Sequence, residues 1–91
     1  MSNLDRITRI KQRLAVLNPI LCNVEDESAL HAGHAGAASG AGHFRITISS
    51  EKFNGLKPIQ RHRLVYDAVG DLMHSEIHAL AITALEIKDQ P

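Results

Sequence analysis

The segment from His43 to Ser50, HFRITISS, sets Phe44, Ile46 and Ile48 on one side of an extended chain and Arg45 and Thr47 on the other. Strict alternation of this kind is the period of a strand with one buried face. Such a strand needs a second layer to cover its apolar side. The preceding sequence offers one: Leu4, Ile7, Ile10, Leu14 and Leu17 recur every three or four positions, the single stripe of an amphipathic helix. Ser2 or Asn3 suits its N-cap, Asp5 lies near its positive end, and Asn18-Pro19 stops it, because proline lacks an N–H and pushes its predecessor out of the α region. Ile20 to Val24 is a short apolar run suited to another strand, closed by Glu25-Asp26-Glu27. The two strands are expected to pair as a long-looped hairpin. Residues 32 to 42, AGHAGAASGAG, hold four of the six glycines and five alanines, side chains too small to pack a core and a stretch too short to link domains.

Phe53-Asn54-Gly55 signals a turn, and Pro58 opens a second helix in which Ile59, His62, Val65, Tyr66, Val69, Leu72 and Met73 follow helical spacing to about His74. Gly70 within it is about 1 kcal/mol less favourable than alanine, so it marks either close packing or fraying. Ser75 to Ala79 reads as a short connection. Leu80 to Ile87, nearly all apolar, reads as a strand buried on both faces. The order helix, strand, strand, helix, strand predicts one α+β domain over residues 1–91, with helices against a three-stranded sheet, a mobile Gly/Ala loop over 31–42 and a tail over 88–91.

A chain of 91 residues has room for one modest core, and with aromatics at 3% and no tryptophan, aliphatic side chains must fill it. Ten Lys and Arg balance ten Asp and Glu, so nucleic-acid binding would need a local patch. Lys52, Lys57, Arg61 and Arg63 form such a segment without an intervening acid, for which a solvated helix face is the plainer explanation. Cys22, the only cysteine, excludes an internal disulfide and any Cys-rich zinc site within one chain. No apolar run approaches the ~20 residues that span a bilayer, and the charged amphipathic start does not resemble a signal peptide. The expected location is the cytoplasm, with no membrane partner.

Six histidines are the compositional oddity, since imidazole is a common metal ligand and titrates near neutrality. His31-Ala-Gly-His34 sets two of them in the Gly/Ala loop, a spacing that by itself equally describes a polar exposed loop. His74 and His78 would share a helix face only if the helix ran through Ser75; His74 otherwise suits the negative end of the helix. His62, on an apolar stripe, reads as a core histidine, and His43 opens a strand without a clear role. Cys22, among Ile20, Leu21 and Val24, reads as a small hydrophobe with a raised pKa. There is no GxSxG elbow, P-loop or GxGxxG, so an enzyme is not expected.

Asp26-Glu27-Ser28, HAGHAG (31–36), His43-Phe44-Arg45, FNGLKPIQRHRLVY (53–66) and IHALAI (77–82) together closely resemble the BolA family, in its order and nearly its spacing, over residues 25 to 88. The resemblance implies a type II K-homology-like αββαβ fold with a three-stranded mixed sheet, in agreement with the order read from periodicity. It also implies a monothiol glutaredoxin as partner, with or without a [2Fe–2S] cluster bridging the two proteins and ligated by glutathione as well. The family's C-terminal histidine ligand falls on His78. Its loop ligand, histidine or cysteine by subfamily, falls in a segment without cysteine that is longer than the shortest family loops. Counting back from His43-Phe44-Arg45 picks His34, the preferred assignment; counting forward from Glu27-Ser28 picks His31, held in reserve. No cofactor is expected in the isolated chain, a monomer or weak homodimer. The family is also described as transcriptional regulators, which makes DNA binding through Lys52, Lys57, Arg61 and Arg63 the alternative reading, although no GxxG clamp lies between two helices.

Overall fold

Helix α1 (Asn3–Leu14) and the 3₁₀ turn Ala15–Leu17 that extends it bury Ile10, Leu14 and Leu17, the stripe read from their spacing. Asn18 then adopts a left-handed conformation (φ 49°), its N–H donating to the Ala15 carbonyl, and Pro19 prevents further helix. The computed structural model describes residues 3–27, 42–75 and 77–87. The Gly/Ala loop expected over 31–42 therefore lies outside the described residues except for Gly42, and the tail lies outside them entirely.

Strand β1 (Leu21–Asp26) runs antiparallel to β2 (Gly42–Ser49), from Leu21 opposite Ser49 to Asp26 opposite Phe44. β1 thus extends beyond the expected Val24, because Glu25 and Asp26 find ladder partners in Arg45 and Phe44. β2 also pairs in parallel with β3 (Ile77–Leu85), which makes it the central strand of a mixed sheet in the order β1-β2-β3. A parallel pair requires a crossover, here made by α2 (Pro58–Val69) and the short α3 (Leu72–Ser75). Pro58 opens α2, where the Lys57 N–H donates to Gln60 Oε1 at 2.9 Å. Phe44, Ile46 and Ile48 meet Val24, Ile77, the α1 stripe, Val65, Val69, Leu72 and Phe53 in one apolar cluster. On the opposite side of the sheet Leu21, Asn23, Glu25 and Arg45 are exposed.

Four further expectations change. The second helix does not run to His74: Gly70, at φ 54° and ψ −127°, caps α2 through its N–H to the Tyr66 carbonyl, and α3 restarts two residues later. That backbone conformation favours glycine, so Gly70 is a stop signal. The strand expected from Leu80 begins at Ile77, which removes most of the Ser75–Ala79 connection. β3 is an edge strand, not one buried on both faces; of its residues only Ile77 is fully buried, and Ala79 and Thr83 are exposed. His62, expected as a core histidine, is only half-buried; the fully buried residues of α2 are Val65 and Val69, with Leu64 and Ala68 packed beside them.

Arg13 ties α1 to the α2–α3 break, donating to the Val69 carbonyl at 3.3 Å and to Asp71 Oδ1 at 2.8 Å. The hydrogen bond from Arg13, then its charge, holds the Asp71 carboxyl below its usual 3.8. A carboxyl depressed on folding contributes stability above its unfolded pKa and loses it as the pH falls through the folded value. Asp71→Asn is therefore expected to lower stability slightly at pH 7, with the difference from wild type vanishing at strongly acid pH. Urea unfolding at neutral and acid pH measures this; a difference that persists unchanged would contradict it.

Candidate functional site

The antiparallel β1 and parallel β3 bring the end of β1 and the beginnings of β2 and β3 to the same end of the sheet. The segment carrying His31 and His34 leaves after Glu27 and rejoins at Gly42, so both its attachment points lie there, although the two histidines are outside the described residues. These points are tied together: the Glu27 N–H donates to the His43 carbonyl at 2.7 Å, and Arg45 Nε donates to Glu27 Oε2 at 3.1 Å.

His78 sits at this end through an irregularity in β3. Gly42 lies opposite Ile77 but His43 lies opposite Ala79, so the ladder shifts by one residue and His78 is the extra position. Regular alternation would send His78 to the side of Leu80 and Ile82, which pack against the core. The shift leaves Ile77 buried and both His78 and Ala79 exposed, the re-aiming that a β-bulge produces. The His78 ring meets that of His43, with centroids 4.9 Å apart and planes inclined at 47°. His43, without a clear role in the sequence, thus joins the site. Its signal was hidden because contact depends on the β2–β3 register and on the bulge.

His74 is exposed on α3 and does not share an element with His78. Cys22 lies toward the other end of the sheet, opposite Ile48, where burial raises its thiol pKa and the Lys11 charge partly offsets this. Among the described residues no group of three or more His, Cys, Asp or Glu is arranged to hold a metal. An exposed imidazole near the attachment of a histidine-bearing segment fits a centre whose remaining ligands come from elsewhere.

The basic segment separates into two kinds of residue. Lys52, Lys57 and Arg63 are exposed. Arg61 is only 13% exposed: Nε donates to the Leu56 carbonyl at 2.9 Å, Nη1 to the Ala84 carbonyl at 3.1 Å, and Nη2 to Glu86 Oε1 at 2.7 Å. Glu86 Oε2 in turn accepts from the Gly55 N–H, and Asn54 Oδ1 from the Ile87 N–H. Arg61 therefore joins the start of α2 to the end of β3. Among the described residues no helix is long and apolar enough to cross a membrane.

One antiparallel and one parallel pairing, with the crossover helix between the paired strands, define the αββαβ class of K-homology-like type II folds. Residues 14–89 match the family described as BolA-like protein, and the chain belongs to the BolA family. It is 43% identical over 86 residues to SufE-like protein 1, chloroplastic/mitochondrial, of Arabidopsis thaliana, covering 88% of this chain and 23% of that protein. To the DNA-binding transcriptional regulator BolA of Escherichia coli it is 34% identical over 82 residues, covering 89% of this chain and 75% of the relative. The chain spans about half the length of BolA-like protein 1 of mouse and cow, 47% and 53% respectively. The solved BolA domain of SufE1 from Arabidopsis thaliana superposes with a TM-score of 0.81 at 39% identity, covering 93% of this chain and 95% of that one.

Proposed function

We propose that this chain is a non-enzymatic adaptor that binds a monothiol glutaredoxin and shares a [2Fe–2S] cluster with it, in cluster assembly and trafficking or in iron signalling. The observation that carries this reading is the bulge that turns His78 out at the sheet end where the histidine-bearing segment is attached. His78 and His34 would be this chain's ligands, with His31 the alternative in the loop; glutathione and the partner's cysteine supply thiolates. The bound cluster supplies redox-active, transferable iron, and imidazole in place of thiolate raises its reduction potential. This chain's residues fix ligand identity and position: β2 anchors the site, and Glu27 and Arg45 pin the attachment points of the loop. A reducing compartment such as the cytoplasm suits a partner that works through thiolates.

The test is a titration of cluster-loaded monothiol glutaredoxin with this protein, followed by visible absorption and circular dichroism. The expected result is a new spectrum that saturates near one-to-one. An unchanged glutaredoxin spectrum in the presence of folded protein would overturn the reading.

A second reading, DNA binding, draws on the name of the Escherichia coli relative and on exposed Lys52, Lys57 and Arg63. If these side chains contact phosphates, log affinity falls with log salt by about 0.9 per contact. Joint replacement of Lys57 and Arg63 by alanine is then expected to flatten that slope by about 2 and leave the glutaredoxin titration unchanged. A slope unaffected by the pair would remove this surface as the DNA site.

A further inference from the structure

We propose that His43 is a positioning residue for the His78 imidazole, holding it in one orientation before any partner arrives. The proposal rests on His78 being a cluster ligand. The bulge that exposes His78 also leaves it without a residue opposite in the β2 ladder, so strand pairing by itself fixes its ring poorly. An exposed histidine on an edge strand samples several χ1 and χ2 wells.

His43 provides the missing constraint. It belongs to the central strand, is half-buried, lies opposite Ala79 of β3, and has its carbonyl bonded to the N–H of Glu27, the residue just after β1, so its backbone is held from both sides. Its ring lies 4.9 Å from that of His78 at 47°, a tilted aromatic contact that restricts how the exposed imidazole turns. Ligand rings in metal sites are generally oriented by groups that do not touch the metal, and a ligand ordered beforehand loses less freedom on binding.

The first readout needs no cluster. NMR of the isolated protein at one fixed pH is expected to show ring-to-ring contacts between His43 and His78 and a single χ1 rotamer for His78. His43→Phe keeps an aromatic ring and is expected to preserve that rotamer, whereas His43→Ala is expected to give averaged couplings at His78 with the rest of the spectrum unchanged. The second readout is the glutaredoxin titration: His43→Ala is expected to weaken the complex by about three- to tenfold, and His43→Phe to restore it. If His43→Ala does not fold, wild type and His43→Phe decide the matter, because an averaged His78 ring in both overturns the proposal. A fixed His78 rotamer in folded His43→Ala overturns it as well. Failure of wild type to share a cluster, with the ring order and its loss in His43→Ala intact, would instead count against the function proposed for His78.

Discussion

Arg61→Ala is expected to destabilise the protein by about 3–5 kcal/mol, the usual penalty for breaking a buried ion pair by removing one partner. The guanidinium bonds Leu56, Ala84 and Glu86 at once, and its loss leaves the nearly buried Glu86 carboxylate without its closest counter-charge. It also releases the connection between the start of α2 and the end of β3, an edge strand with ladder partners on one side only. For a domain of this size the loss corresponds to a fall of more than about 10 °C in Tm, measurable by thermal or urea unfolding. Lys57→Ala and Arg63→Ala, at exposed sites, are expected to stay within about 0.5 kcal/mol of wild type. An Arg61→Ala protein as stable as those two would contradict a structural role for the Arg61–Glu86 pair. The prediction also bears on function, because lost DNA binding in Arg61→Ala would report lost structure.

His78→Ala is expected to do the opposite: leave the fold intact and remove the shared centre. The His78 side chain is exposed, and its ring contact is with His43, so stability is expected to change by no more than about 0.5 kcal/mol. Added to cluster-loaded glutaredoxin, this variant is expected to leave the glutaredoxin spectrum unaltered at concentrations where wild type has saturated. Ala79→Ser, at the neighbouring exposed position opposite His43, is the control and is expected to behave as wild type. A His78→Ala protein that gives the wild-type spectral change would remove His78 from the ligand set.

The fold was legible wherever one periodicity dominated. Phe44, Ile46 and Ile48 alternate without exception, and Ile10, Leu14 and Leu17 follow one helical stripe, so β2 and α1 were visible in the sequence and both stripes are buried. β3 was harder because its apolar run includes small alanines that pack as readily at an edge as at a centre, and because sheet order is a long-range property. Gly70 was ambiguous in the same way: its identity permits a positive φ, but only the packing of Arg13 and Asp71 around it shows that the helix stops there.

The candidate site divides along the same line. The resemblance placed a ligand on His78, while its exposure depends on a register shift that no local pattern encodes. His43 looked like an ordinary first residue of a strand. Arg61 looked like one of four equivalent cations until Glu86, 25 residues away in sequence, was found beside it.

The most direct measurement is electron–nuclear hyperfine spectroscopy of the reduced cluster in the complex of ¹⁵N-histidine-labelled protein with unlabelled monothiol glutaredoxin and glutathione. Strong ¹⁵N couplings from this chain that collapse in His78→Ala are the predicted result. A cluster with sulfur ligation throughout and no ¹⁵N coupling would contradict the account.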